Sequence, residues 1–233
     1  MKYMGSKARI AKHILPIILK DRKEGQCYVE PFVGGANMID KVDGWRIGAD
    51  ADEDCIKCLE IIRDKINVIP RHNGEFHEKM YKERCKTIPW LMPYGAYAFS
   101  YGGKKWGGYR RDKEGVRDYI AEAYRNSKKQ SPLLAGVELV KSRYNNLRIP
   151  PESIIYCDPP YANTTKYKDD FDRVAFWQWC REKVTEGHQV FISEYSAPDD
   201  FTYVWQKEIQ SGLNTNTTKK GTEKLFVHES QFK

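Results

Sequence analysis

No uninterrupted apolar run in this 233-residue chain is long enough for a membrane span. Between Met1 and Lys20 the cations Lys2, Lys7, Arg9 and Lys12 break up the sequence, and His13 to Leu19 is the longest greasy stretch nearby, so no secretory h-region is expected either. Cysteine is sparse and unpaired in its spacing: residues 27, 55, 58, 85, 157 and 180 lack the pattern of a secreted disulfide scaffold and suggest reduced thiols in a cytoplasm. Cys55 and Cys58 make a single C-x-x-C with no second pair to complete a tetrahedral set, so they read as the packed face of a helix and no metal is expected. There is no Gly-x-Gly-x-x-Gly and no Gly-Lys-Ser/Thr phosphate loop, which argues against a dinucleotide or ATP and leaves room for a nucleoside cofactor without phosphates. Internal repeats are absent, and the polar stretch Asn214 to Gly221 is the one locally biased segment, expected to be a mobile loop.

What is present is an uneven charge. Between Ser100 and Arg148 stand twelve Lys and Arg against five acids, a surplus of seven that accounts for the whole net charge of +7. The remainder balances at 27 basic and 27 acidic residues, so a neutral body carries one basic segment suited to a polyanion. Within it, Tyr97 to Arg111 interleaves aromatics, glycines and the cations Lys104, Lys105, Arg110 and Arg111, a composition that fits a hairpin following a phosphate backbone and probing bases.

On both sides of that segment strands alternate with helices. Ala8 to Leu19 has a helical apolar stripe that Pro16 should kink or divide. Cys27 to Glu30 and Arg46 to Asp50 read as strands, with Asp52 capping a helix whose inner face is Cys55, Leu59, Ile62 and Ile66. Ile154 to Cys157 is a third strand, Phe176 to Val184 a helix stopped by Gly187, and Gln189 to Ile192, Tyr203 to Trp205 and Leu225 to Val227 are further strands. With 40% hydrophobic residues, the pattern implies an α/β fold, a doubly wound mostly parallel sheet, with residues 71–149 inserted between 1–70 and 150–233.

Ligands of such sheets sit beyond the carboxyl ends of the strands, and every distinctive motif falls there. Phe32-Val33-Gly34-Gly35-Ala36 follows the first strand, and Asp50, twenty positions beyond Glu30, ends the second where it can bind a ribose hydroxyl pair. Asp158-Pro159-Pro160-Tyr161 follows the third. Two prolines make a stiff turn with a carboxylate on one side and an aromatic face on the other, which suits a planar ring bearing an exocyclic NH₂: Asp158 and the Pro159 carbonyl accept its hydrogens while Tyr161 stacks on the ring.

Asp-Pro-Pro-Tyr after a hydrophobic strand resembles the catalytic motif of S-adenosylmethionine-dependent amino-methyltransferases. Its order after Lys2-Tyr3-Met4-Gly5-Ser6-Lys7 and Val29-Glu30-Pro31-Phe32-Val33-Gly34-Gly35…Ala49-Asp50 is similar to that of the Dam-like, D12-class adenine-N6 DNA methyltransferases. The resemblance implies a Rossmann-like methyltransferase fold with a mainly helical target-recognition lobe carrying a basic hairpin near residues 100–112, and double-stranded DNA as partner. It implies S-adenosylmethionine as cofactor, with Phe32 on the adenosine, Asp50 on the ribose, Glu30 and Gly34 in the same pocket, and Tyr3 and Lys7 closing over the methionine end. Asp158, Pro159, Pro160 and Tyr161 would carry the chemistry on a flipped adenine, with Asp158 also counted among the cofactor-binding residues, in a bacterial or phage-infected cytoplasm. A cytosine-N4 or RNA amine methyltransferase, and an inactive nucleic-acid-binding relative, are the alternatives. Met4 and Ser6 depart from the smaller residues of the family's first block, and Gly107 to Asp112 matches its base-reading hairpin only loosely.

Overall fold

The structure is a computed structural model that describes residues 1–71, 74–112, 114–161, 171–210 and 220–232. In chain order its elements are α1 (Ala11–Ile18), β1 (Tyr28–Glu30), β2 (Arg46–Asp50), α2 (Glu53–Asp64), α3 (Gly74–Lys82), α4 (Met92–Ala98), α5 (Tyr119–Gln130), β3 (Val137–Lys141), β4 (Ile154–Cys157), α6 (Arg173–Thr185), β5 (Gln189–Glu194), β6 (Phe201–Gln210) and β7 (Lys220–His228). Seven strands form one sheet in the order β3-β2-β1-β4-β5-β7-β6. The first five are mutually parallel, and β7 runs antiparallel between β5 and β6.

Alternation along the central strands builds the core. Tyr28, Ile154 and Tyr156 join the apolar cluster formed with α1, α2, α4 and α5, while Val29, Ile155 and Cys157 face Phe176, Trp177 and Cys180 of α6 on the other side. A sheet covered on both faces needs strands that are apolar throughout, and β1 and β4 are buried at every position. The chain runs outward from β1 to β2 and β3, then returns to start β4 on the opposite side of β1. The carboxyl ends of β1 and β4 therefore diverge into a crevice, the switch point at which ligands of doubly wound sheets bind.

Two expectations need correction. Pro16 does not divide α1, which runs through it: Pro16 lies in the last turn, on the exposed side of the helix. Residues 137–141, placed by the sequence reading in the inserted segment, form β3 and pair with β2 from Arg46↔Val137 to Asp50↔Lys141. In this edge strand Glu138 and Lys141 are exposed, and these charges conceal a strand within a cation-rich stretch. Most of the expected loop from Asn214 to Gly221 lies outside the described residues, and Lys220 and Gly221 open β7. Among the described residues no helix is long and apolar enough to cross a membrane.

Candidate active site at the switch point

Asp158 leaves the end of β4 and meets Lys7, which the N-terminal segment carries across the crevice. The Lys7 ammonium is 3.0 Å from Asp158 Oδ1 and 3.9 Å from Glu223 Oε1, and it donates to the Gly5 carbonyl at 3.2 Å. It also lies 4.3 Å from the centre of the Tyr161 ring. The Tyr161 hydroxyl donates to Glu223 Oε2 at 2.7 Å, and the Tyr195 ring meets Tyr161 edge-on at 4.7 Å. Lys7 and Glu223 are almost wholly buried, at 7% and 6% side-chain exposure, whereas Asp158 keeps 22% open to the crevice. The turn itself is anchored by Arg173, which donates to the Pro160 carbonyl at 2.6 Å and pairs with Glu194 at 3.0 Å.

Burial governs the titration of this cluster. It pushes the Asp158 carboxyl above its ordinary range, and the Lys7 charge and hydrogen bonds from Lys7 and Tyr161 hold it back. Glu223 is raised for the same reason, with Lys7 and Tyr161 opposing and Asp158 reinforcing. Burial works against the Lys7 ammonium, but Asp158 and Glu223 outweigh it and raise its pKa. Glu30, at the end of β1, receives the Tyr28 hydroxyl at 2.9 Å, and burial raises its carboxyl well above the ordinary carboxylate range, with the Tyr28 hydrogen bond opposing.

Beside this cluster, across β1 and β2, lies a second region. Asp50 accepts the Gly34 N–H on Oδ2 at 3.1 Å and the Asp52 N–H on Oδ1 at 2.9 Å, which holds its carboxylate at the mouth of the loop after β1. The glycines of that loop answer to Tyr3: a Cβ on Gly34 would stand 2.8 Å from the Tyr3 ring, and one on Gly35 2.5 Å from Tyr3 Cβ. Phe32 is half-buried among Tyr144 at 5.5 Å, Phe176 at 5.7 Å and Phe171 at 5.9 Å between ring centres. Cys55 donates to the Gly34 carbonyl and Cys58 contacts Met1 Sδ; both are buried, and burial lifts the Cys58 thiol to about 12.

The structure thus brings Lys7, Asp158 and Tyr161 into contact, with Glu30 beneath them, and gathers Tyr3, Phe32, Gly34 and Asp50 around the adjoining loop. Glu223, Tyr195, Tyr144 and Arg173 were not foreseen. Glu223 lies in a polar stretch of the sequence whose strand carries no warning of the site, and only the antiparallel insertion of β7 beside β5 delivers it.

The basic segment divides. Ser100 and Tyr109 pair in a short antiparallel bridge, and Gly103 is required there because a Cβ would approach the Lys2 carbonyl to 2.5 Å. Arg111 is exposed and pairs with Glu78, and Lys104 is half-buried on the same loop. Lys105 instead turns inward, its ammonium 2.7 Å from both Asp52 and Asp54 at the start of α2, where Tyr97 also donates to Asp52 at 2.9 Å. Arg110 is buried: its guanidinium packs 4.5 Å over the Tyr119 ring, 3.5 Å from Glu122, and among the described residues its Nη2 has no hydrogen-bond partner.

Comparison with known proteins adds three likenesses of fold. A candidate methyltransferase from Thermoplasma acidophilum shares 9% identity over 91% of this chain and 72% of its own, with a TM-score of 0.36. A candidate class I S-adenosylmethionine-dependent methyltransferase from Listeria monocytogenes shares 12% over 99% of this chain and 62% of its own, at 0.41. The human methyltransferase 10 domain containing protein shares 7% over 94% and 80%, at 0.37. None of these is close enough to carry a functional reading, and the Rossmann-like fold is read from the strand order itself. No curated protein matches the chain. Over residues 3–86, the stretch that holds Tyr3, Lys7, Glu30, Phe32, Gly34 and Asp50 but stops short of Asp158, the chain matches the family of D12 class N6 adenine-specific DNA methyltransferases.

Proposed function

We propose that this protein is a site-specific DNA adenine-N6 methyltransferase that draws its methyl group from S-adenosylmethionine. One juxtaposition carries the reading: the partly buried Asp158 carboxylate and the Tyr161 ring stand together at the switch point, in the same crevice as the Asp50 carboxylate and the Phe32 aromatic wall. The residues present suit the cofactor. Each Asp50 oxygen takes one backbone N–H and keeps a lone pair for a ribose hydroxyl, and the half-buried face built by Phe32 and Tyr144 suits an adenine ring. When bound, the cofactor supplies an electrophilic methyl on a sulfonium. Asp158 and the Pro159 carbonyl accept the two hydrogens of the target amine, which favours a tetrahedral nitrogen and stabilises the positive charge developing on it. The base must leave the duplex to reach them, and Tyr161 offers it a face.

Mass spectrometry of nucleosides from DNA of cells expressing the chain tests this directly. N6-methyldeoxyadenosine is the expected product; N4-methyldeoxycytidine, or no modified base, overturns it. Asp50→Ala should weaken cofactor binding by about 1.5–3 kcal/mol through loss of a charged acceptor, read by calorimetry. An undiminished affinity removes Asp50 from the pocket, and no heat with the wild-type protein removes the methyltransferase reading.

Phosphate contacts fall to cations of the basic segment that reach solvent, exposed Arg111 and half-buried Lys104 among them. Buried Arg110 and the inward-turned Lys105 support the loop, a narrower role than the sequence alone suggests. Replacing Arg111 and Lys104 by Ala should flatten the slope of log K against log salt by roughly 0.9 for each lost contact. Binding titrations over a range of salt decide it, and an unchanged slope moves the interface elsewhere.

A further inference from the structure

Lys7 occupies the place that the proposed chemistry reserves for the substrate. Its nitrogen is within hydrogen-bonding distance of Asp158 and over the Tyr161 ring, the two groups between which the target amine must sit. An adenine amine and a lysine ammonium cannot share that carboxylate oxygen and ring face, so base entry requires Lys7 to leave. A buried ammonium cannot simply be released, because an unpaired charge away from water is costly. A second carboxylate is already in reach: Glu223 Oε1 lies 3.9 Å from the Lys7 nitrogen, too long for a strong hydrogen bond and close enough to become one after a small rotation of a flexible side chain. The other oxygen of Glu223 receives the Tyr161 hydroxyl, so the same carboxylate that awaits Lys7 also fixes the ring against which the base stacks.

Building on the methyltransferase reading, we propose that Glu223 is a positioning residue that takes over the Lys7 ammonium when the target amine displaces it from Asp158. Lys7 then guards the empty site as a stand-in for the amine, and the transfer to Glu223 keeps its charge paired while Asp158 is given up to the substrate.

The test uses the full chain with cofactor and duplex DNA that keeps the target adenine and carries 2-aminopurine as the base stacked beside it, whose fluorescence rises when its neighbour is extruded from the stack. Glu223→Gln keeps an oxygen for the Tyr161 hydroxyl and removes the charge. Extrusion should become about tenfold less favourable in this variant, a size typical of coupling between contacting residues, with cofactor affinity unchanged. In a Lys7→Met background the same change should have less than about a twofold effect, because no ammonium remains to be received. Equal losses with and without Lys7 would make Glu223 a mere support for Tyr161 and overturn the proposal, as would wild-type extrusion by Glu223→Gln. A structure of the wild-type complex gives a second reading independent of either variant: Lys7 bonded to Glu223 supports the transfer, and Lys7 still on Asp158 beside a seated base overturns it. Failure of the wild-type protein to extrude the base at all sinks the underlying adenine reading instead, and this inference with it.

Discussion

Asp158→Asn is expected to lower single-turnover methyl transfer by at least about 10²–10³-fold, the range seen when one preorganised polar group is removed from a developing charge. The substitution preserves volume but replaces an anion with an amide that can present a donor to the amine. Cofactor binding should survive, because the Asp50 carboxylate is held by the Gly34 and Asp52 N–H groups and Phe32 packs on Tyr144 and Phe176, contacts in which Asp158 has no part. Labelled cofactor with rapid quenching supplies the rate and calorimetry the affinity. Turnover near the wild-type rate would remove Asp158 from the chemistry, and joint loss of affinity would assign it to cofactor binding instead.

The largest expected effect on stability belongs to Lys7→Met. Removing the cation leaves Asp158 and Glu223 facing one another in a buried site with no counter-charge, a situation that costs about 3–5 kcal/mol when the carboxylates stay ionised. They need not stay ionised at low pH. Both carboxyls are already raised by burial, and loss of the ammonium that restrains Asp158 raises that group further. A carboxyl whose folded pKa lies above its unfolded value contributes stability below the unfolded pKa, and that contribution is lost as pH rises through the folded pKa. The gap between wild type and Lys7→Met should therefore be small at about pH 4, the ordinary carboxylate value, and widen once pH passes the raised wild-type carboxyls toward the still higher ones of the variant. Urea unfolding at several pH values measures it. A penalty independent of pH would mean that lost packing, not lost charge, is what the substitution costs.

The parallel half of the sheet was legible because its signals are local. Apolar runs such as Ile154 to Cys157 are buried on both faces and need no context, and Asp52 caps α2 with its own side chain, accepting the Asp54 N–H at 3.0 Å. Asp50 and Asp158, which the sequence reading sets at strand ends, stand at the ends of β2 and β4 for the same reason. What escaped depends on distant pairing. β3 becomes a strand through its register with β2, and Glu223 becomes part of the site only because β7 runs back between β5 and β6. The sequence counts Arg110 as one more cation, yet the fold presses it against Tyr119; charge content locates a basic segment but does not say which of its side chains face water.

The contact between Lys7 and Glu223 joins residues 216 positions apart, and it bears on how the protein matures as well as on what it does. During synthesis a chain emerges from its amino end, so the Rossmann-like strands that bear Glu30, Asp50 and Asp158 are available well before β7. Lys7 meets one carboxylate when β4 is in place and its second only when β7 has been made. Long-range closure of this kind is slow and entropically expensive, and here the last strand to arrive is also the one that orders Tyr161. A nascent or carboxyl-truncated chain that lacks β7 would leave Tyr161 and Lys7 without the Glu223 carboxylate. The fold thus ties the Lys7–Asp158–Tyr161 cluster to the arrival of β7.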